Sequence, residues 1–184
     1  MKLSKLGVLA LSTAIACAAA FAPASAATTA AKACRWAARY VRLMAAAGRV
    51  VVVFDMDDTL VDGETAKPLR PGMGLYEACL RAGAEVHVVT ARFSSPSTRA
   101  MTLRELDAAG VRPAGRAPGY RALHMRPHSF GDDRVHEYKL LRRHKLGRGA
   151  ALLSVGDQWW DFLGSDASIA RYDRAMPKAS AAYV

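Results

Sequence analysis

The strongest constraint in the sequence is the run Arg49–Phe54, in which four consecutive valines lie between an arginine and a phenylalanine. β-Branched residues favour strands, and a strand that is apolar on both faces is typical of a parallel sheet covered by helices on both sides. The runs Glu85–Val89 and Ala151–Val155 have the same character, and Tyr120–Met125 is a weaker example. These segments predict a buried parallel sheet.

Helical patterns alternate with these strands. The first, Thr28–Ala47, places Trp36, Tyr40 and Leu43 on one face and is followed by Gly48, which is typical of a helix end. The other predicted helices are Pro71–Ala82, Ser97–Ala109 and Asp133–His144. Strands that alternate with helices imply right-handed crossovers, so the sequence predicts an α/β fold with a doubly wound parallel sheet.

The first 26 residues are typical of a cleavable signal peptide. Lys2 precedes the apolar stretch Leu6–Ala20, and the segment ends in Ala24-Ser25-Ala26. Cleavage after Ala26 would leave a single domain of residues 27–184, secreted or periplasmic. The apolar stretch is shorter than the roughly 20 residues that span a bilayer, which argues against a membrane anchor. Lipid attachment at Cys17 is a minor alternative.

The charge and the cysteine content limit the class of protein. Lys and Arg number 26 against 16 Asp and Glu, a formal net charge of +10 that favours anionic partners such as phosphates, nucleic acid or an acidic surface. The cysteines lack the CxxC spacing of a structural zinc site. Cys34 and Cys79 remain after cleavage, either as a disulfide or as two small buried residues.

Polar residues follow three of the predicted strands. The segments are Asp55–Thr59, Thr90–Arg92 and Gly156–Asp161, and ligands of such sheets bind where the carboxyl ends of the strands meet. Carboxylates brought close together repel one another, and a divalent cation such as Mg²⁺ relieves that repulsion. The alternative is that each Asp caps a helix or a turn.

The same segments resemble the motifs of the haloacid dehalogenase (HAD) superfamily of phosphohydrolases. Phe54–Leu60 is similar to its first motif, Val88–Arg92 to its second, Lys139 to its third and Val155–Asp161 to its fourth. The Gly-Asp-Gln-Trp sequence and the Lys on a basic helix are most similar to the secreted acid phosphatases, which comprise the bacterial class B and class C enzymes and the plant acid phosphatases. Only Val61–Arg70 separates the first motif from the next helix, so we expect a HAD-like core with little or no cap.

The resemblance implies a catalytic role for each of four residues. Asp55 would attack phosphorus and form an aspartyl-phosphate, and Asp57 would act as general acid and then as general base. Thr90 would hydrogen-bond the phosphoryl oxygens. Lys139 would hold the nucleophile and offset the transferred charge.

The resemblance also implies a magnesium site and a substrate rim. The Mg²⁺ ligands would be Asp55, the Asp57 carbonyl, Asp157 and Asp161, the last through water or from outside the ligand shell. Arg92 is a candidate contact to the substrate phosphate, and Trp159 and Trp160 are candidates for stacking on an aromatic leaving group. An open site suits bulky phosphate monoesters, among them nucleotides, or capping by a second subunit of a homo-oligomer.

The sequence therefore predicts a secreted Mg²⁺-dependent phosphomonoesterase of the acid phosphatase type. Two alternatives belong to other classes of protein. One is a catalytically silent storage or binding protein of the same fold, against which the retention of Asp55 and Asp57 argues. The other is a nucleic-acid-binding protein driven by the positive charge, which lacks the interleaved aromatic residues of a base-stacking surface.

Overall fold

The computed structural model describes residues 13–16, 24–114 and 118–157, which form an α/β architecture. The strands are β1 (Thr13–Ala16), β2 (Val50–Phe54), β3 (Glu85–Phe93), β4 (Ala122–Arg126) and β5 (Ala151–Gly156). The helices are α1 (Ala24–Ala47), α2 (Arg70–Arg81), α3 (Pro96–Ala108) and α4 (Val135–Leu146), with a 3₁₀ turn at Asp132–Arg134. The strands form a parallel sheet in the order β1-β5-β2-β3-β4. The predicted fold class is confirmed.

Strand β1 lies inside the segment predicted to be a signal peptide. It pairs with β5 at the edge of the sheet, with Thr13 opposite Leu153. The strands β2 to β5 all lie in the predicted mature chain. Cleavage after Ala26 would therefore leave a four-stranded parallel sheet whose edge is β5.

Helices cover both faces of the sheet, and the four valines explain why. Val52 belongs to the larger core cluster, which also contains Leu75 of α2 and Leu106 of α3. Val51 and Val53 point to the opposite face, where they pack with Tyr138 of α4. Every residue of β2 is buried, so the strand needs apolar side chains at each position and not at alternate ones.

Helix α1 packs through a different face from the one that carries its large apolar residues. Trp36 is 50% exposed and Leu43 is 63% exposed, and Trp36 stacks on Tyr40 at 5.6 Å between ring centroids. The buried face is made of smaller residues: Ala33, Cys34, Ala37 and Val41. Small side chains let α1 approach α2 closely. The helix therefore buries this face, although the face that carries Trp36 has larger apolar side chains.

The two cysteines of the predicted mature chain are both buried, on the packed helices α1 and α2. Burial raises the pKa of the Cys79 thiol to about 12, and the nearby Cys34 adds to the shift. Cys79 is a free thiol, so the structure shows no disulfide between Cys34 and Cys79. Within the described ranges no helix combines the length and the apolarity that a membrane crossing needs.

The start of α2 lies directly against the loop that follows β2. A Cβ atom added to Gly72 would lie 1.9 Å from the Thr59 carbonyl oxygen, closer than any non-bonded contact allows. Gly74 is on the same helix, and a Cβ atom there would meet nothing within 4 Å. The close approach between helix and loop therefore requires a glycine at position 72. A glycine at position 74 is not required for it.

We expect Gly72→Ala to lower the free energy of unfolding by about 1–3 kcal/mol, because the atom that the new Cβ would meet, the Thr59 carbonyl oxygen, belongs to the backbone. Gly74→Ala is the matched control and should raise it by about 0.5–1 kcal/mol through helix propensity. Denaturant unfolding of both variants measures the difference. A Gly72→Ala variant as stable as Gly74→Ala would show that helix and loop do not touch.

Candidate active site

The carboxyl ends of three neighbouring strands bring the predicted motifs together. Phe54, the last residue of β2, pairs with Val88 of β3 on one side and with Val155 of β5 on the other. The backbone NH of Asp55 donates to the Val155 carbonyl at 2.8 Å, so the ladder extends one residue beyond β2. The starts of the predicted segments, at Asp55, Thr90 and Gly156, therefore lie at the carboxyl ends of adjacent strands, as predicted.

Asp55 forms a buried ion pair with Lys139 of α4. Lys139 Nζ lies 3.0 Å from Asp55 Oδ2, and the two side chains are only 7% and 6% exposed. Each residue makes further contacts. Charges this deeply buried are tolerated when they are paired, so the lysine holds the carboxylate in a defined position.

The loop after Asp55 turns sharply at Asp58. This residue has φ of +56°, in the left-handed region that Asp adopts more readily than most residues. Its Oδ1 accepts a hydrogen bond from the Gly63 NH at 3.0 Å. Asp58 therefore shapes the loop that carries Asp55 and Asp57.

Asp57 is held by Arg92 through two hydrogen bonds. Arg92 Nη2 donates to Asp57 Oδ1 at 2.6 Å, and Arg92 Nε donates to Asp57 Oδ2 at 3.1 Å. The hydroxyl of Thr90, a fully buried residue, lies 3.5 Å from Asp57 Oδ2 and also accepts a hydrogen bond from the Arg92 NH. The bidentate geometry gives Asp57 a defined orientation at the mouth of the site.

The guanidinium of Arg92 also reaches α3. Its Nη1 contacts the Glu105 carboxylate and donates to Thr102 Oγ1 at 3.4 Å. Burial by itself lowers the pKa of Arg92, but the hydrogen bonds to Asp57 and Glu105 outweigh it, so the pKa is raised above its usual value. Arg92 is therefore always a cation placed between two acids.

The structure brings four of the predicted residues into one site: Asp55, Asp57, Thr90 and Lys139. It places Arg92 on Asp57, a contact that the sequence analysis did not predict; the predicted phosphate contact of Arg92 stays a prediction. Asp157 is half-buried just beyond β5. Asp161, Trp159 and Trp160 lie outside the described residues.

Thr102 and Glu105 are the two site residues that sequence reasoning missed. They lie three residues apart on α3, so they share one face of the helix. The sequence feature that could have indicated them is the position of α3, which directly follows the strand that carries Arg92. An acid on that helix is within reach of a cation at the strand end.

The oxygen atoms at the carboxyl ends of these strands suit a hard divalent cation. The Asp57 carbonyl accepts no backbone hydrogen bond from the described part of the chain, and the Asp55 carboxylate is next to it in sequence. The described ranges contain no cluster of three or more His, Cys, Asp or Glu side chains able to hold a metal. Only two side chains of the donor set implied by the resemblance, Asp55 and Asp157, belong to the described residues, because Asp57 would contribute its backbone carbonyl and Asp161 lies outside them.

Comparison with protein families identifies the chain. Residues 60–177, more than half of the chain, match the model of the HAD superfamily, subfamily IIIB (acid phosphatase). The chain belongs to this family of acid phosphatases. It is therefore a phosphatase with a HAD-type core. The matched region includes Thr90, Lys139 and Asp157 and begins just after the Asp55–Thr59 loop. A comparison with curated proteins found no match.

The buried pair predicts a non-additive effect on the stability of the phosphatase. Lys139→Met should lower the free energy of unfolding by about 3–5 kcal/mol, because it leaves a buried carboxylate without its counter-charge. Adding Asp55→Asn should recover much of that loss. Lys145→Met, at an exposed position on the same helix, is the control and should change stability by less than about 0.5 kcal/mol. Strictly additive losses in the double variant would contradict the pairing.

Proposed function

We propose that this phosphatase is a secreted, Mg²⁺-dependent phosphomonoesterase that works through an aspartyl-phosphate on Asp55. The observation that supports the proposal most strongly is the buried Asp55–Lys139 pair beside a second carboxylate, Asp57. An ionised carboxylate is a nucleophile, and the lysine keeps it ionised. Asp57 is more exposed, with a side chain 33% accessible, so it lies where a leaving group can reach it.

In the first step, an Asp55 oxygen forms a bond to phosphorus while the bond between phosphorus and the ester oxygen breaks. Asp57, protonated on Oδ2 and still accepting a hydrogen bond from Arg92 through Oδ1, donates its proton to that departing oxygen, which leaves as an alcohol. In the second step, water attacks the phosphorus of the aspartyl-phosphate, and Asp57 takes the proton of that water. Inorganic phosphate leaves, and the Asp55 carboxylate is restored.

Lys139 and the metal ligands have complementary tasks in this scheme. Lys139 stays protonated and offsets the negative charge that gathers around Asp55. Asp55, the Asp57 carbonyl and Asp157 would hold the Mg²⁺, with Asp161 supporting them. When bound, the cation supplies positive charge against the phosphoryl oxygens. Thr90 lies beside Asp57, and its hydroxyl would donate a hydrogen bond to one of those oxygens.

The substrate is proposed to be a bulky or polyanionic phosphate monoester, nucleotides included. Residues 55–69 join β2 to α2, and residues 94 and 95 join β3 to α3, so neither described connection holds an inserted cap domain. The net charge of +10 favours anionic substrates. Trp159 and Trp160 are the proposed rim residues for an aromatic leaving group.

Export with cleavage after Ala26 would give a mature N-terminus at Ala27, which mass spectrometry of the secreted protein measures.

Variants of the three neighbouring aspartates test the proposed roles. Asp55→Asn should show no turnover above background, because an amide is not a competent nucleophile. Asp57→Asn should lower kcat/KM by about 10²–10⁴-fold for esters with poor leaving groups, because the general acid is lost. Asp58→Asn is the matched control: asparagine tolerates a positive φ and can accept the Gly63 hydrogen bond, so activity should persist.

The assay uses an aryl phosphate and glycerol phosphate, with EDTA treatment followed by Mg²⁺. Activity should disappear with EDTA and return with Mg²⁺. Wild-type turnover in Asp55→Asn would overturn the proposed mechanism. A wild-type chain that turns over neither ester, with or without Mg²⁺, would favour the catalytically silent storage or binding protein.

A further inference from the structure

Arg92 connects the proposed general acid to a second acid on another element. One edge of its guanidinium holds both oxygens of Asp57, at 2.6 and 3.1 Å. The remaining amino group, Nη1, contacts Glu105 and donates to Thr102 Oγ1 at 3.4 Å. The Arg92 side chain is only 17% exposed, so solvent does little to satisfy it. The position of the guanidinium therefore depends on its protein partners: Asp57, Thr102 and Glu105.

Helix α3 supplies a fixed anchor for this arrangement. Its first turn is capped by Ser95, whose hydroxyl oxygen accepts a hydrogen bond from the Thr98 NH at 3.1 Å. Thr102 is fully buried, and Glu105 lies on the same face one turn later. By contrast, Asp57 lies in a loop, and arginine side chains have many rotamers when nothing restrains them. The helix therefore restrains the arginine, and the arginine restrains the loop carboxylate.

We propose that Glu105 is a positioning residue for Asp57 and that it acts through Arg92. The inference rests on the proposed function, since it assigns a purpose to the orientation of the general acid. Without Glu105, Arg92 keeps one acid partner and gains the freedom to turn toward the phosphate of an incoming substrate. With Glu105 in place, Arg92 keeps its closer hydrogen bond, from Nη2 to Asp57 Oδ1 at 2.6 Å. This bond holds the carboxyl group in one orientation, while Oδ2 carries the proton that the ester oxygen receives.

The expected consequence depends on the leaving group. Proton donation matters most for a poor leaving group, such as the alkoxide of glycerol phosphate, and little for 4-nitrophenolate. Misplacement of a catalytic group by about 1 Å costs about 10²-fold. Glu105→Gln should therefore lower kcat/KM for glycerol phosphate by about 10–100-fold, and that for 4-nitrophenyl phosphate by less than about threefold.

The experiment measures kcat/KM for both esters in wild type, Glu105→Gln, Asp57→Asn and the double variant. Because Glu105 acts only through Asp57, its substitution should not change the ratio of the two rates further in the Asp57→Asn background. The matched control is Glu77→Gln, which removes the same charge from the exposed Glu77–Arg81 pair on α2 and should leave the ratio unchanged. An equal loss for both esters in Glu105→Gln would overturn the proposal and indicate a structural role.

A second readout does not require turnover. The Arg92 Nε–H group, held by Asp57, should give a slowly exchanging NMR signal in wild type, and exchange should become faster in Glu105→Gln. Unchanged exchange in that variant would overturn the positioning role. Absence of wild-type turnover would overturn the proposed function instead, and the Arg92 signal would still show whether Glu105 holds the guanidinium.

Discussion

The buried ion pair between Asp55 and Lys139 is the interaction on which the site depends. Burying a charge is costly unless it is paired, so the position of α4 against the carboxyl end of β2 is part of what allows Asp55 to be buried. The neighbouring Tyr138 packs with Val51 and Val53 and supplies that contact. Asp55, the proposed nucleophile, is therefore placed by the same packing that closes one face of the sheet.

Asp57 is held in a comparable way from the other face. Helix α3 contributes Leu106 to the core cluster on that face, and Glu105, the adjacent residue, holds Arg92. The two carboxylates of one short loop are thus tethered to helices on opposite sides of the sheet. This arrangement gives two similar side chains different environments: Asp55 is buried and paired with a lysine, whereas Asp57 is more exposed and bound by a guanidinium. The proposed roles follow this difference: the buried Asp55 is the proposed nucleophile, and the more accessible Asp57 is the proposed general acid and base.

The sequence predicted the fold well because the sheet is buried on both faces. Continuous apolar runs and Gly or Pro at helix ends located the strands and helices to within a few residues in most cases. Strand β3 was predicted to end at Val89 but continues to Phe93, because the polar residues Thr90 and Arg92 interrupt the continuous apolar run by which the strand was located. The packing face of α1 was not anticipated, since hydrophobic periodicity favours large residues, whereas close helix packing selects alanines.

The contacts of the site were predictable only where a motif carried them. Asp55 and Lys139 are far apart in sequence, and the family resemblance, not the spacing, linked them. No motif covers Thr102 and Glu105, and polar residues on an amphipathic helix are usually solvated. Their contact with Arg92 depends on the distance between α3 and the end of β3, which only the folded chain provides.

The most direct test of the proposed mechanism is the chemical identity of the phosphorylated residue. Enzyme mixed with excess substrate is quenched in acid, reduced with borohydride and digested, and the peptides are analysed by tandem mass spectrometry. Borohydride converts an aspartyl-phosphate to homoserine. The expected result is homoserine in place of Asp55 and an unmodified Asp57. Phosphate on a histidine or serine, or reduction at Asp57 and not at Asp55, would contradict it.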